Sequence, residues 1–539
     1  MRKRLVCQAL LFVLFIVLIL NGSQSAPAYA ADITGDFVSD LIISVPHEDT
    51  TTIVEAGAVA TLWGAKGAGL TAADQLIYQS DSQEINETGD QFGYALTVGD
   101  FNRDHIFDVA VGVPFEDFGG LNGPGAVQVI YSTAGVGLDG TKVDFITQNN
   151  FSSLGSPAEN FDNFGYSLTA GDFNGAGYSD LAIGVPYETL VISSVTQTDA
   201  GIVHVVYGSW EGLNYDFTQS FYQNFLAGGE VAESYDHFGL ALSSGDFNGD
   251  GKDDLVIGVP EEDISYPSII NDVGALHIVY GHSGGLGAGG SELLQQTLGP
   301  VGDEHAEEND GFGAVLAAGD YNGDGHDDLT VGIPSESIGS TQNAGAVQVF
   351  FGNDTGISDT ITSFFSQDIT GDIETNDGFG FALTIGDFDG DGYDDLVIGI
   401  PHETLTLEYV GIVHIIYGIV EPSMFGSQNQ ILSQGGANGG AQEAGDRFGY
   451  ALAAGNFNGD RYDDLAVGVP YEDVGAIIDA GAVQVFYGDS SSLTNDGVQI
   501  WHQDTSGVKD VAEEDDQYGK VIVALPGIVF DAYLPSILK

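Results

Sequence analysis

The chain has 539 residues, with 79 Asp and Glu against 12 Lys and Arg, for a formal charge of −67. That balance excludes nucleic acid as a partner, since phosphate contacts need clustered Lys and Arg, and it argues equally against anionic membrane surfaces. Disorder is not implied, because 43% hydrophobic and 11% aromatic residues can build a core, and 78 Gly call for many tight turns.

Residues 1–30 read as a leader. Arg2-Lys3-Arg4 is a basic start, Leu5 to Leu20 is an apolar run interrupted by Gln8, and the polar stretch after it ends Ala28-Tyr29-Ala30. This is the three-part layout of a secretory signal peptide cleaved near Ala30. An uncleaved membrane anchor is the rival reading. Cys7, the one cysteine, lies too early for a lipoprotein cysteine. Cleavage would leave a chain without disulfides, secreted or held at the cell surface. No later apolar run reaches the ~18 residues a membrane span needs.

From residue 31 one unit recurs seven times. Its clearest string is Gly-Asp-Phe-Asn-Gly-Asp-Gly-Lys-Asp-Asp-Leu at 245–255. Aligned on the first Asp of that string, the copies start at Asp32, Asp100, Asp172, Asp246, Asp320, Asp387 and Asn456, 67 to 74 residues apart. Each copy has four parts. An Asp stands two residues before an aromatic-Gly pair: Asp90, Asp162, Asp236, Asp310, Asp377 and Asp446 before Phe-Gly, and Asp516 before Tyr518-Gly519. A short alternating run follows, then the acidic loop, then an apolar run ending in Pro, as in Leu255 to Pro260. Last comes a Gly-led β-branched run such as Gly201 to Gly208. Short Val-, Ile- and Tyr-rich runs bounded by Gly, Pro or Asp predict strands.

Four strands repeated seven times predict an all-β fold, a seven-bladed β-propeller of four-stranded blades. A solenoid is the alternative, but it would need capping units. The two ends favour the ring. Residue 31 opens directly on an acidic loop without its aromatic-Gly strand, while residues 518–525 supply such a strand with no loop after it. The C-terminal strand is therefore expected to complete the first blade and close the ring. The propeller is expected over 31–527, with an apolar tail at 528–539 that packs on it or acts as a sorting signal.

The Phe-Gly pairs, the Gly-Asp-Phe-Asn-Gly-Asp-Gly string and Ile257-Gly258-Val259-Pro260 resemble FG-GAP repeats. The resemblance covers nearly all of 31–525 and implies the seven-bladed propeller of integrin alpha subunits and of related bacterial exported proteins. Such repeats also occur beside the catalytic domain of glycosylphosphatidylinositol-specific phospholipase D. The family's Gly-Ala-Pro appears here as Gly-Val-Pro or Gly-Ile-Pro, and as Ser44-Val45-Pro46 in the first copy.

The acidic loops read as calcium sites. In Asp246-x-Asn248-x-Asp250-x-Lys252-x-Asp254, oxygen side chains alternate, a backbone carbonyl is expected from Lys252, and Gly249 and Gly251 allow the turn. Ca²⁺ takes six to eight hard oxygens in flexible geometry. An EF-hand is excluded, since the loop closes at its ninth residue between strands. Equally complete are Asp320/Asn322/Asp324/His326/Asp328 and Asp387/Asp389/Asp391/Tyr393/Asp395. Asp100/Asn102/Asp104/Ile106/Asp108 keeps its ligands but has Arg103 and His105 for the glycines. Asn456/Asn458/Asp460/Tyr462/Asp464 has Asn in first place, and Asp32/Thr34/Asp36/Val38/Asp40 is expected to fray. Asp172/Asn174/Tyr178/Asp180 is the weakest, with Ala176 where a carboxylate belongs. Simple β-hairpin turns would favour the same residue types.

Other recurring residues carry less. Glu48, Glu116, Glu188, Glu262, Glu336, Glu403 and Glu472 each follow the repeat proline by two, which suits a local turn or hydrogen bond, and the Asp before each aromatic-Gly pair reads the same way. His204, His277 and His414 share one strand position and read as packed strand residues, not as a zinc site. Sequons begin at Asn86, Asn150 and Asn353. No nucleophile-elbow, zincin or phosphate-loop pattern occurs. The expected function is a non-enzymatic, calcium-rigidified, monomeric adhesion module for an extracellular protein or glycan. An extracellular hydrolase or lyase is the alternative, as is a propeller related to the phospholipase's accessory domain. A one-blade Asp/His/Arg cluster in the channel would favour an enzyme; sevenfold-equivalent channel residues would favour binding.

Overall fold

The computed structural model describes residues 32–50, 53–79, 87–151, 157–228, 230–265, 269–287, 289–296, 306–358, 362–367, 373–418, 425–435, 441–509 and 511–524. The leader, the tail after 527 and the sequon residues Asn86 and Ser152 lie outside them. No helix among the described residues is long and apolar enough to cross a membrane.

Seven four-stranded antiparallel sheets stand around one axis. Blade 2 shows the plan: Ala95–Gly99 innermost, then Asp108–Val113, Ala126–Thr133 and Gly137–Ile146 at the rim. Blades 3 to 7 repeat it from inner strands Ser167–Gly171, Leu242–Gly245, Val315–Gly319, Ala382–Gly386 and Ala451–Gly455. Blade 1 takes three strands from the N-terminal side, Leu41–Val45, Ala58–Trp63 and Thr71–Tyr78, and its innermost strand from the other end of the chain, Ile522–Val523. Ile42 pairs with Val523 and Ile43 with Ile522. The contact starts earlier than the strand does: Gly519 N donates to Ser44 O at 3.1 Å and Ser44 N to Val521 O at 2.9 Å. Closure of the ring is as expected, but the closing strand is shorter than 518–525, because Tyr518-Gly519 turns into it and does not belong to it. Two small hairpins, Leu190–Ile192 with Val195–Gln197 and Ile264–Ser265 with Ile269–Ile270, sit on the second-to-third-strand connections of blades 3 and 4.

The core lies between blades rather than inside any one of them. Seven apolar clusters fill the seven junctions, and the aromatic-Gly ring sits in each: Phe92, Phe164, Phe238, Phe312, Phe379, Phe448 and Tyr518, all fully buried. Covered on both faces, the second strands are buried along their whole length and mostly apolar after a leading Asp, as in Asp395–Ile400. Glycine lets neighbouring blades approach. Gly201 has φ +84°, and a Cβ on it would lie 2.2 Å from the carbonyl oxygen of Phe238 in the next blade. A ring of backbone bonds runs around one mouth of the axis. Each loop's first residue accepts an amide from the next blade, from Asp246 O with Asp327 N at 3.1 Å to the closing bond from Ser39 N to Asn456 O at 3.1 Å.

Candidate metal loops and the axial mouth

Each acidic loop joins an innermost strand to its second strand and is curled by its own carboxylates. Asp246 accepts the amides of Asp250 (3.0 Å) and Gly251 (2.8 Å), Asn248 Oδ1 accepts Asp250 N (3.0 Å), and Asp250 Oδ1 accepts Lys252 N (3.1 Å). Asp254 begins the second strand, fully buried, and accepts Gly281 N at 2.7 Å. These bonds draw side-chain oxygens to the inside of the curl. Asp320, Asn322, Asp324 and Asp328 repeat the pattern, with His326 N on Asp324 at 3.0 Å. So do Asp387, Asp391 and Asp395, with Tyr393 N on Asp391 at 3.0 Å.

The imperfect loops keep the same curl. Asp100, Asn102, Asp104 and Asp108 do so, with Ile106 N on Asp104 at 3.0 Å. Arg103 and His105 are forced there to φ 59° and 68°; every other loop has glycine at the first of these positions, and the third to sixth loops have it at the second, where the first loop has Phe37 at φ 66°. In the seventh loop Asn456 accepts Asp460 N through its amide oxygen, Asp460 accepts Tyr462 N, and Asp464 accepts Gly488 N. Asn458 is tied on both sides: its Oδ1 accepts Asp460 N at 2.8 Å, and its own backbone N–H donates to Asp464 at 3.2 Å. Asp172 still accepts the amides of Ala176 and Gly177, but Ala176 offers no oxygen to the interior, so Tyr178 N has no counterpart of the bond that Lys252 N makes. Asn174 and Asp180 hold each other at 3.1 Å. The first loop is curled in the same way. Asp32 is buried, accepts the amides of Thr34 and Gly35, and takes Phe107 N of the next blade at 3.1 Å, while Asp36 accepts Val38 N and Asp40 accepts Gly64 N.

In the sixth blade the carboxylate oxygens of Asp387, Asp389 and Asp395 lie within 4.8 Å of one another. Two oxygens on opposite sides of a cation at about 2.4 Å would be just that far apart, so this donor set fits a calcium ion. The group is smaller than the expected ligand set. Asp391 is not in it, being turned to the amide of Tyr393. Ile106 and Tyr393, expected as carbonyl ligands, donate their amides to the carboxylate two residues back, as Lys252 and His326 do. Asn458, expected as an oxygen ligand, accepts Asp460 N with that oxygen, as Asn102, Asn248 and Asn322 do in their own loops. Burial above all, with neighbouring carboxylates adding, pushes Asp395 up to about 9 and Asp108, Asp180, Asp254 and Asp328 up to about 8. The loops crowd negative charge that a divalent ion would neutralise.

The opposite end of each blade holds a second recurring constellation. The Asp before each aromatic-Gly pair accepts the amide three residues earlier, as Asp236 does from Glu233 at 2.5 Å. The Glu after each proline makes the local turn with its backbone, as in Glu262 N to Val259 O. Its side chain, however, reaches a neighbouring blade. Gln79 donates to Glu116 (2.5 Å), Gln148 to Glu188 (2.6 Å), Gln223 to Glu262 (2.5 Å), Gln296 to Glu336 (2.6 Å), and Gln503 to Glu48 (2.6 Å); Gln367 with Glu403 and Gln434 with Glu472 complete the set. A local reading misses these glutamines, although each stands two residues after the last apolar residue of its rim strand. His204, His277 and His414 are buried against Phe164, Phe238 and Phe379 as packed strand residues, and burial keeps them neutral.

At that end the residue after each aromatic-Gly pair lines the axial mouth, and here the sevenfold pattern breaks. Blades 2, 3, 6 and 7 supply Tyr94, Tyr166, Phe381 and Tyr450, blades 4 and 5 only Leu240 and Ala314, and blade 1 supplies Lys520. Tyr94 packs on Tyr166 at 5.0 Å and Phe381 on Tyr450 at 5.0 Å. Basic groups from three blades meet beside them: Arg447 over the ring of Tyr471 (4.5 Å), Lys520 Nζ at 3.2 Å from His47 Nε2, and His402 nearby. This cluster spans blades rather than sitting in one.

Six stretches match the FG-GAP repeat model: 92–130, 164–206, 238–279, 312–350, 379–416 and 448–486. The chain is similar to phosphatidylinositol-glycan-specific phospholipase D of Rattus norvegicus, 33% identical over 40% of this chain and 25% of that protein. It is similar to integrin alpha-5 of Xenopus laevis, 30% identical over 50% of this chain and 23% of that protein. The chain thus spans about a quarter of the length of these relatives. Among solved structures it is loosely similar to an exotype rhamnogalacturonan lyase, with TM-score 0.37 and 13% identity over 88% of this chain and 64% of that one.

Proposed function

We propose that this chain, an FG-GAP repeat protein folded as an integrin-alpha-like seven-bladed propeller, is a secreted or cell-surface binding module stiffened by calcium. The observation that carries the reading is the sixth-blade loop, whose three carboxylates converge at the spacing of an ion's ligands. Asp246, Asn248, Asp250 and Asp254 and their counterparts in the other blades would hold further ions, most weakly at 172–180. The bound ion would supply positive charge where each loop hydrogen-bonds to the next blade, coupling the metal to the ring's stiffness. On that rigid frame the variable loops and axial mouth are free to recognise an extracellular protein or glycan. The leader at 1–30 supports export. The test is a screen of the purified chain against glycans and matrix proteins, with calcium and with EDTA. Calcium-dependent capture without turnover is expected.

The uneven axial mouth favours a second reading, an extracellular hydrolase or lyase, because chemistry breaks repeat symmetry. Release of product in the same screen would establish it.

A further inference from the structure

We infer that the axial mouth at the aromatic-Gly end is a binding site for an acidic saccharide, with Arg447 and Lys520 taking its carboxylate and Tyr450 and its neighbouring rings taking its sugar faces. This rests on the binding-module reading and names that module's ligand.

The starting point is a pair of bases from neighbouring blades, set beside partly buried rings. Lys252 lies in an ion pair, 2.9 Å from Asp250. Among the described residues Arg447 and Lys520 reach no carboxylate within ion-pair distance, as is also so of Arg103, Lys142 and Arg461. Arg447 lies on the Tyr471 ring, and Lys520 donates to Gln517 Oε1 at 2.7 Å and touches His47. The bases also oppose one another. Burial and the Arg447 charge hold Lys520 below its ordinary range, burial and Lys520 do the same to His47, and burial and Arg447 to His402. Arg447 and Lys520 are two charged bases that repel each other, at a cost in free energy that an anion bridging them would recover. Glu55 reaches His47 at 3.9 Å, and Asp479 and Asp515 stand nearby, but none of the three pairs with Arg447 or Lys520. More distant carboxylates are screened beyond about 8 Å at physiological ionic strength.

The surroundings choose the ligand. Tyr450 packs edge-on to Tyr471 at 6.0 Å and on Phe381 at 5.0 Å, and all three are only partly buried. Such rings offer apolar faces and hydroxyl edges, which suit the CH faces and hydroxyls of a pyranose better than a peptide backbone. An Arg fork takes a carboxylate in two bonds. Across the mouth, Leu240 and Ala314 are small and leave one side of the ring less obstructed than the other.

The experiment is titration calorimetry of the full calcium-loaded chain with a uronic-acid trisaccharide, with its methyl ester, which has the same rings without charge, and with a tri-aspartate peptide. The acid form should bind, the ester at least about tenfold more weakly, and rising salt should weaken the acid form. Arg447→Gln and Lys520→Gln should each weaken binding by about tenfold or more at unchanged melting temperature. Equal binding of acid and ester, binding untouched by both substitutions, no binding of the acid form, or preference for the peptide would each overturn the proposal. Neutral glycans and matrix proteins tested in parallel separate the two readings. Calcium-dependent capture of these alone would leave the module standing without this site, and capture of nothing would remove both.

Discussion

Gln503 at the end of the seventh blade donates its amide to Glu48 of the first, 2.6 Å away across 455 residues of chain. The same bond links every other pair of neighbouring blades, but only this one helps join the two ends of the chain. Glu48 is 1% exposed and also accepts Tyr78 Oη at 3.3 Å, so losing Gln503 would remove the shorter of these two bonds from a buried carboxylate. Gln503→Ala should therefore cost about 2 kcal/mol and should open the ring at blade 1. Gln296→Ala should cost a similar amount, but the chain ends should stay protected. Denaturant midpoints together with hydrogen exchange around Ile42 and Ile522 would read both effects.

The partners of those glutamines also make stability depend on pH. Burial first, then the charge of Asp236, pushes Glu262 up to about 8, and burial first pushes Asp236 up to about 7. In the unfolded chain both would titrate near 4. The folded state thus holds protons that the unfolded state has lost. The contribution is fully present below pH 4 and is lost as pH rises towards 8. The slope is at most about 1.4 kcal/mol per pH unit for each group. Unfolding of wild type and Glu262→Gln, both in EDTA, should show wild type losing stability more steeply between pH 5 and 8. Parallel curves would contradict the assignment.

The ring and its closure are legible in the residues because a period of about 70 and two complementary ends are one-dimensional features. The loops are legible for the same reason, since their oxygens lie within nine consecutive residues. Glu48 and its counterparts are only half legible. Their turn is local, but their glutamine lies 36 to 40 residues back, or 455 ahead at the closing junction, so no reading of one repeat finds it. The anchor of loop 32–40 is hidden for a related reason, since Phe107 N belongs to the next blade. The axial mouth is least legible of all. Arg447, Lys520 and His402 come from three blades and share no repeat position, so only the closed ring brings them together.

The third loop offers a gain-of-site test. It is curled like the others, with Asp172, Asn174 and Asp180 in place, and lacks only a carboxylate at Ala176. Ala176→Asp should add about one tightly held calcium per chain, read by metal analysis after dialysis. Asp395→Asn should remove about one. EDTA should lower the melting temperature of both proteins. Each site saturated at 100 times its Kd contributes about 2.7 kcal/mol. An unchanged metal count in Ala176→Asp would mean that the missing carboxylate is not what limits that loop.

The second blade carries strain that the third to sixth blades avoid, and that the first shares at Phe37, φ 66°. His105 holds φ 68° at a position where Gly251, Gly325 and Gly392 do the same without a Cβ. The left-handed region costs an L-residue about 1–2 kcal/mol, and glycine gives back roughly half of that in unfolded-chain entropy. The His105 side chain is exposed, with Asp100 3.9 Å away. His105→Gly should therefore stabilise the protein by about 0.5–1 kcal/mol without altering the loop's ligands. Arg103→Gly should gain less, because Arg103 Nη1 also donates to Ala176 O of the third blade at 3.1 Å. Urea unfolding of the two variants, in calcium and again in EDTA, would rank them. If His105→Gly proved less stable than wild type in both conditions, the strain at this position would not be a cost to the fold.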